Sequence, residues 1–213
     1  MKVFSLQSDG KLSKADRDEI ITFLDNHGVV VMPTDTSYGL AAKITDKQAI
    51  KKIYQLKKRE ATKTLSMAVS GRAQALKYGV VSCKPTSLWK AFMPGPLTLV
   101  VWAKGKAIPF ITRKDKTVAI RQVPTPVVQQ ILRSLSVPIT ITSANRSARN
   151  DIYTLTAFKK QHGSKLPVAF IDAGTLKKVK PSTIVSALKG EEVAVLRDGP
   201  IKSKQIKQAL SKH

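Results

Sequence analysis

The chain has 213 residues, 37 lysines and arginines against 14 aspartates and glutamates, and a formal charge of +23. With 42% apolar and 24% charged residues it has the composition of a globular body that can bury a core, which excludes a disordered basic tail. The most apolar stretch, Leu97 to Ala103, is far short of the ~20 residues that span a bilayer. The N-terminus carries no apolar signal segment, so a cytoplasmic location away from membranes is expected. One cysteine, Cys83, and three scattered histidines, His27, His162 and His213, give no zinc spacing and no base for a Ser-His-Asp site. Cys83 is expected to be a packed bystander.

In chain order, Ser13 and Asp16 predict a capped helix that runs through Ile20, Ile21 and Leu24 and stops at Gly28. Val29 to Met32 is short, apolar and β-branched, which predicts a buried strand ended by Pro33. Asp46 caps a second helix with Ala49, Ile50, Ile53 and Leu56 on one face and Lys47, Lys51, Lys52 and Lys58 on the others. Further strands are expected over 65–69, 97–102, 117–121, 138–142, 168–171, 182–185 and 193–197. Helices are expected over 72–78, 85–92, 126–135 and 156–161, with a basic one over 203–210; Thr125 reads as an N-cap with Pro126 at the first helical position. Strands and helices alternate without strict one-for-one order, which predicts an α/β fold with a mixed sheet, in one domain over 1–213.

Polar groups gather at the ends of these strands. Pro33-Thr-Asp-Thr-Ser-Tyr-Gly-Leu40 reads either as a ligand-facing loop or as a plain turn. Lys57-Lys-Arg59 and Lys63 suit a polyphosphate, or a solvated helix end, with no Walker or Gly-x-Gly-x-x-Gly pattern. Pro94-Gly-Pro-Leu-Thr98 is a rigid turn feeding a strand. Arg121 is an anion clamp or a strand-end snorkeler, and Ser143-Ala-Asn145 a phosphate cradle or a helix cap. Ser182-Thr183 and Arg197-Asp-Gly-Pro200 again set polar groups beside apolar strands.

Taken together and in this order, Pro-Thr-Asp-Thr-x-Tyr-Gly-Leu, Lys-x-Arg, Pro-Gly-Pro-Leu-Thr, Arg121, Thr-Ser-Ala-Asn, Pro-Ser-Thr-Ile-Val and Leu-Arg-Asp-Gly-Pro resemble the YrdC/Sua5 family over roughly residues 10–202. The resemblance implies a YrdC-like twisted open mixed sheet flanked by helices, with a concave basic pocket, in the short form that lacks an extra C-terminal domain. It implies an L-threonylcarbamoyladenylate synthase, a nucleotidyltransferase that joins L-threonine, bicarbonate and ATP into threonylcarbamoyl-AMP and pyrophosphate. That is the first step toward N6-threonylcarbamoyladenosine in tRNA, and the product passes to tRNA threonylcarbamoyl transferase proteins. Matched motif by motif, Lys57 and Arg59 would be catalytic. Arg59, Lys63, Thr117, Ser143, Asn145 and Arg197 would bind ATP, and Thr36, Arg121 and Ser182 threonine, with Arg121 on its carboxylate. Mg²⁺ would come with ATP, bridging phosphates, not in a protein cage.

The residues suit such chemistry, because two anions must be held together by positive charge and donors more than by a dedicated acid or base. Three departures stand out. Glu60 replaces the usual proline after Lys-x-Arg, Met67 and Ala68 stand where many members have a histidine, and Ala148 stands where glycine is usual. The alternatives are a non-catalytic protein that binds tRNA or double-stranded RNA on its basic surface, or a YciO-like paralogue with the same fold. Aromatic residues at 6% supply no stacking platform for RNA, and the intact Lys57-x-Arg59 and Ser143-Ala-Asn145 favour synthesis. The lysines over 47–58 and 202–212 could touch tRNA or simply keep the protein soluble.

Overall fold

The computed structural model describes residues 1–60, 63–81, 83–106 and 108–211; His213 and the tail lysine Lys212 lie outside the described residues. The elements are β1 (Lys2–Ser5), α1 (Lys14–Asp25), β2 (Val29–Pro33), β3 (Tyr38–Ala41), α2 (Lys47–Lys57), β4 (Ser66–Ala68), α3 (Arg72–Ala75), α4 (Lys84–Phe92), β5 (Leu97–Trp102), β6 (Thr117–Arg121), α5 (Pro126–Ser134), β7 (Ile139–Ser143), α6 (Leu155–His162), β8 (Val168–Asp172), β9 (Thr183–Ser186), β10 (Ala194–Arg197) and α7 (Ser203–Ser211). The predicted caps form: the Ser13 hydroxyl accepts from the Asp16 amide at 3.1 Å, and the Asp46 carboxylate accepts from the amides of Gln48 and Ala49.

The strands make one ten-stranded mixed sheet in the order β1-β8-β2-β3-β7-β4-β6-β5-β9-β10. Alternate residues along a strand face opposite sides, and β2 obeys this with both sides buried: Val29 and Val31 join one core cluster, Val30 and Met32 the other. The first cluster takes in apolar residues of α2, α4, α6 and α7. The second lies under α1 and α5, through Ile20, Leu24, Val127 and Ile131. That second layer reaches only as far as β7 and β4, where Ile139 and Ala68 belong to it. Beyond them the same sheet face carries Ser66, Val100, Ala119 and Ile184, and it is bare of helix and lines a cleft. Incomplete cover of one sheet face is what makes the site.

Four sequence expectations change. β1 was missed because it is an edge strand with only Phe4 buried, so it has no alternation to read. The expected loop over 33–40 is a loop only at 34–37; Tyr38 to Ala41 form β3, fully buried between β2 and β7. Gly39 permits this, since a Cβ there would sit 2.9 Å from Ile141 Cδ1 and 3.2 Å from the Thr142 carbonyl. Thr125 precedes α5, but its side chain makes no cap bond; Pro126 fills the first turn. Cys83 is exposed, not packed, at a left-handed φ of 49° just before α4.

Candidate active site

The cleft holds about 380 Å³ and is floored by the uncovered strands. Arg121 ends β6 with its side chain on the floor, 5% exposed. Its Nη2 pairs with Asp35 in the 34–37 loop, and its Nε donates to the Gly95 carbonyl at 3.3 Å. The Pro-Gly-Pro turn therefore does more than steer the chain, for it presents a backbone acceptor to the guanidinium. Burial pulls the Arg121 guanidinium below its usual value, and Asp35 opposes that shift. Such a desolvated arginine, already oriented, has the donor geometry that suits a carboxylate.

Beside it, Arg197 at the end of β10 donates from Nε and Nη2 to the Ser182 carbonyl, at 3.0 and 2.8 Å, and from Nη2 to its hydroxyl at 3.1 Å. The Ser182 and Thr98 hydroxyls share a 2.8 Å bond. Gly199 lets these segments close up, because a Cβ there would meet the Pro181 carbonyl at 2.4 Å. Thr36, Arg59, Arg121, Ser143, Ser182 and Arg197, all expected from the sequence, line the one cleft.

Lys57, Lys63, Thr117 and Asn145 do not line it, and for each the reason is structural. Lys57 is 2% exposed, and its ammonium is turned inward. It donates to the Ser143 carbonyl, to the Asn145 carbonyl at 2.8 Å and more weakly to the Ser143 hydroxyl at 3.5 Å. Its own carbonyl accepts from the Ser147 amide at 2.8 Å. Lys57 thus splints the 143–147 loop, with its ammonium spent on backbone carbonyls. Burial and then nearby Arg59 pull its ammonium down to about 8. Thr117 is 1% exposed, with its hydroxyl donating to Asp115 at 2.6 Å. The Asn145 amide nitrogen donates to the Arg146 and Arg149 carbonyls, shaping the loop from within. Lys63 stands in solvent and pairs with Glu60 at 3.7 Å, so the departing Glu60 charge meets a lysine at the rim.

The other departures also resolve. Ala68 is fully buried in the cluster under α5. Ala148 takes φ 61°, a left-handed conformation that glycine would hold without strain, so the loop adopts that shape with an alanine and carries the strain. Sequence reasoning missed Asp35, Arg113 and Asp151. Asp35 sits inside a quoted motif and could have been found as the partner a buried arginine needs. Arg113 and Asp151 lie in irregular segments with no pattern to flag them.

The molecule is thus an open mixed α/β sheet with a cleft on its uncovered face lined by Arg59, Arg113, Arg121 and Arg197 beside Asp151. The chain belongs to the Sua5/YciO/YrdC family, whose sequence profile, described as telomere recombination, matches residues 22–199. A Methanocaldococcus jannaschii protein assigned provisionally as a threonylcarbamoyl-AMP synthase is 34% identical over 196 residues, 90% of this chain and 91% of its own. The threonylcarbamoyl-AMP synthase of Serratia proteamaculans is 28% identical over 177 residues, covering 82% and 93%. The structure of P. abyssi Sua5 complexed with L-threonine superposes with a TM-score of 0.89 at 24% identity, over 99% of this chain and 61% of that one. The chain therefore spans about 61% of that structural relative, and the likeness there is one of fold. No helix among the described residues is long and apolar enough to cross a membrane.

Proposed function

We propose that the protein is a threonylcarbamoyl-AMP synthase, a nucleotidyl transfer enzyme acting on L-threonine, bicarbonate and ATP. The observation that carries this reading is the single cleft with a buried, pre-oriented Arg121 on its floor and Arg59, Arg197 and Ser143 around it. Arg121 would take the threonine carboxylate, with Thr36 and Ser182 beside it. Arg59 and Arg197 would neutralise the ATP phosphates, while the Lys57-splinted loop presents Ser143. The amine and bicarbonate form a carbamate whose oxygen attacks the α-phosphorus and expels pyrophosphate. Fixed arginines favour this by holding two anions within reach and by stabilising the charge that builds on the phosphate oxygens.

Mg²⁺ would come on the ATP phosphates as part of the substrate. Delivery of the product to a tRNA-modifying partner, and any direct tRNA contact through the basic surface, belong to the same proposal. Relatives named threonylcarbamoyl-AMP synthase support it. The test is pyrophosphate release from ATP and Mg²⁺ with bicarbonate: release that depends on threonine is expected, and its absence overturns the reading.

A further inference from the structure

In that reaction threonine enters as a zwitterion, and its ammonium must lose a proton before the nitrogen can attack carbon. Arginines cannot accept it, having donors only. Among the described residues one carboxylate lines the cleft, that of Asp151. It lies on the irregular segment after β7, and among the described residues no hydrogen bond or ion pair holds its side chain. The charged groups whose fields act on it are those of Lys57 at the end of α2 and Arg197 of β10, and it acts in turn on the Tyr153 phenol. Arg197 in turn holds Ser182 and lies within the field of Arg121. Asp151 thus shares a neighbourhood with the groups assigned to threonine.

Asp35, Asp115 and Asp172 each have a partner and do not line the cleft. Asp35 is paired with Arg121 through one oxygen, and its second oxygen is buried without a hydrogen-bond partner. Asp115 accepts from Thr117. Asp172 accepts from the Tyr38 hydroxyl and the Gly174 amide.

We propose that Asp151 is the catalytic proton acceptor for the α-ammonium of the amino-acid substrate, an assignment that rests on the synthase reading. The ammonium N–H bond breaks and its proton moves to an Asp151 carboxylate oxygen. The freed lone pair forms the N–C bond to bicarbonate, which loses its hydroxyl; with a second proton from the nitrogen this leaves as water, giving the carbamate. Asp151 then returns its proton to solvent through the open mouth of the cleft. Burial lifts the Asp151 carboxyl above its ordinary value while Lys57 and then Arg197 pull it back, which makes it a stronger base than an exposed aspartate.

The experiment follows threonine-dependent pyrophosphate release between about pH 6 and pH 10 for the wild type, Asp151→Asn and Asp151→Glu. Asp151→Asn should lose about a hundredfold or more in kcat/KM for threonine at neutral pH, with ATP affinity changed less than about twofold. The deficit should shrink as rising pH supplies free amine, and Asp151→Glu should recover part of the loss. A loss equal at every pH, a loss carried in ATP binding, or unchanged turnover overturns the assignment while leaving the synthase reading intact. A silent wild type brings down both.

Discussion

Arg121 on the cleft floor is 5% exposed and held by a carboxylate and a carbonyl, whereas Arg59 at the rim is half-buried and leans on the carbonyls of Lys63 and Thr64 at 3.1 and 3.2 Å. The floor arginine has been desolvated and aimed during folding, so in the proposed reaction a substrate carboxylate would meet a group already set. The rim arginine stays near water, where charges are screened and geometry is cheap to change. The floor thus links recognition to fold stability, and the rim does not.

That contrast can be broken most sharply at Arg121. Arg121→Ala should abolish threonine-dependent turnover and also destabilise the fold by ~3–5 kcal/mol, because it strands the Asp35 charge in the interior. Adding Asp35→Ala should restore much of the melting temperature and none of the turnover. If Arg121→Ala melts like the wild type, the floor does not couple recognition to stability.

Arg59→Ala is the counterpart at the rim. Turnover should fall about a hundredfold, while denaturant unfolding stays within about 0.5 kcal/mol of the wild type. A large stability loss would erase the distinction between the two regions.

Lys57 lies between these extremes, since it is buried and hydrogen-bonded yet does not line the cleft. Lys57→Met should cost ~1–3 kcal/mol by leaving the Ser143 and Asn145 carbonyls without their donor, with turnover lowered through a misplaced loop. Its folded value of about 8 is below its ordinary 10.5, so between those limits the unfolded chain binds the extra proton and stability rises with pH. This contribution is full above 10.5 and lost as pH falls through about 8. Urea titrations across that window should show the slope in the wild type and lose it in Lys57→Met.

The smallest effect is expected at Ala148, whose φ of 61° strains an L-residue. Ala148→Gly should stabilise the protein by ~1 kcal/mol or less, the relief of left-handed strain being partly offset by glycine's greater unfolded freedom. A destabilised variant would show that the side chain packs usefully despite the strain.

Elements with strong local signals were legible before folding was considered. Ser13 and Asp46 announce helix starts because a short polar side chain can satisfy the first free amides, and Val29 to Met32 announces a central strand because only a sheet buries β-branched residues on both sides. β1 and β3 were not legible. The first is too exposed to carry a pattern, and the second shares its residues with a motif that looks like loop. Within the candidate site, motif matching found Thr36, Arg59, Arg121, Ser143, Ser182 and Arg197, but it could not tell Lys57 from Arg59. Both are cations of one short motif, and the turn at Lys58, with φ 48°, sends one inward and the other toward the cleft.

The sequence by itself determined the α/β class, the order of most elements, the family resemblance and the cationic character of the site, because these follow from local periodicity, capping and residue chemistry. Tertiary structure alone decided which positive charges reach the cleft. α1 and α5 cover one sheet face only as far as β7 and β4, and a cation works on a ligand only where that cover ends. Of the +23 charge, Arg59, Arg113, Arg121 and Arg197 reach the open face, while Lys57 is consumed by carbonyls and Lys63 by Glu60. No local pattern encodes that division, because it depends on how far helices remote in sequence extend across the sheet.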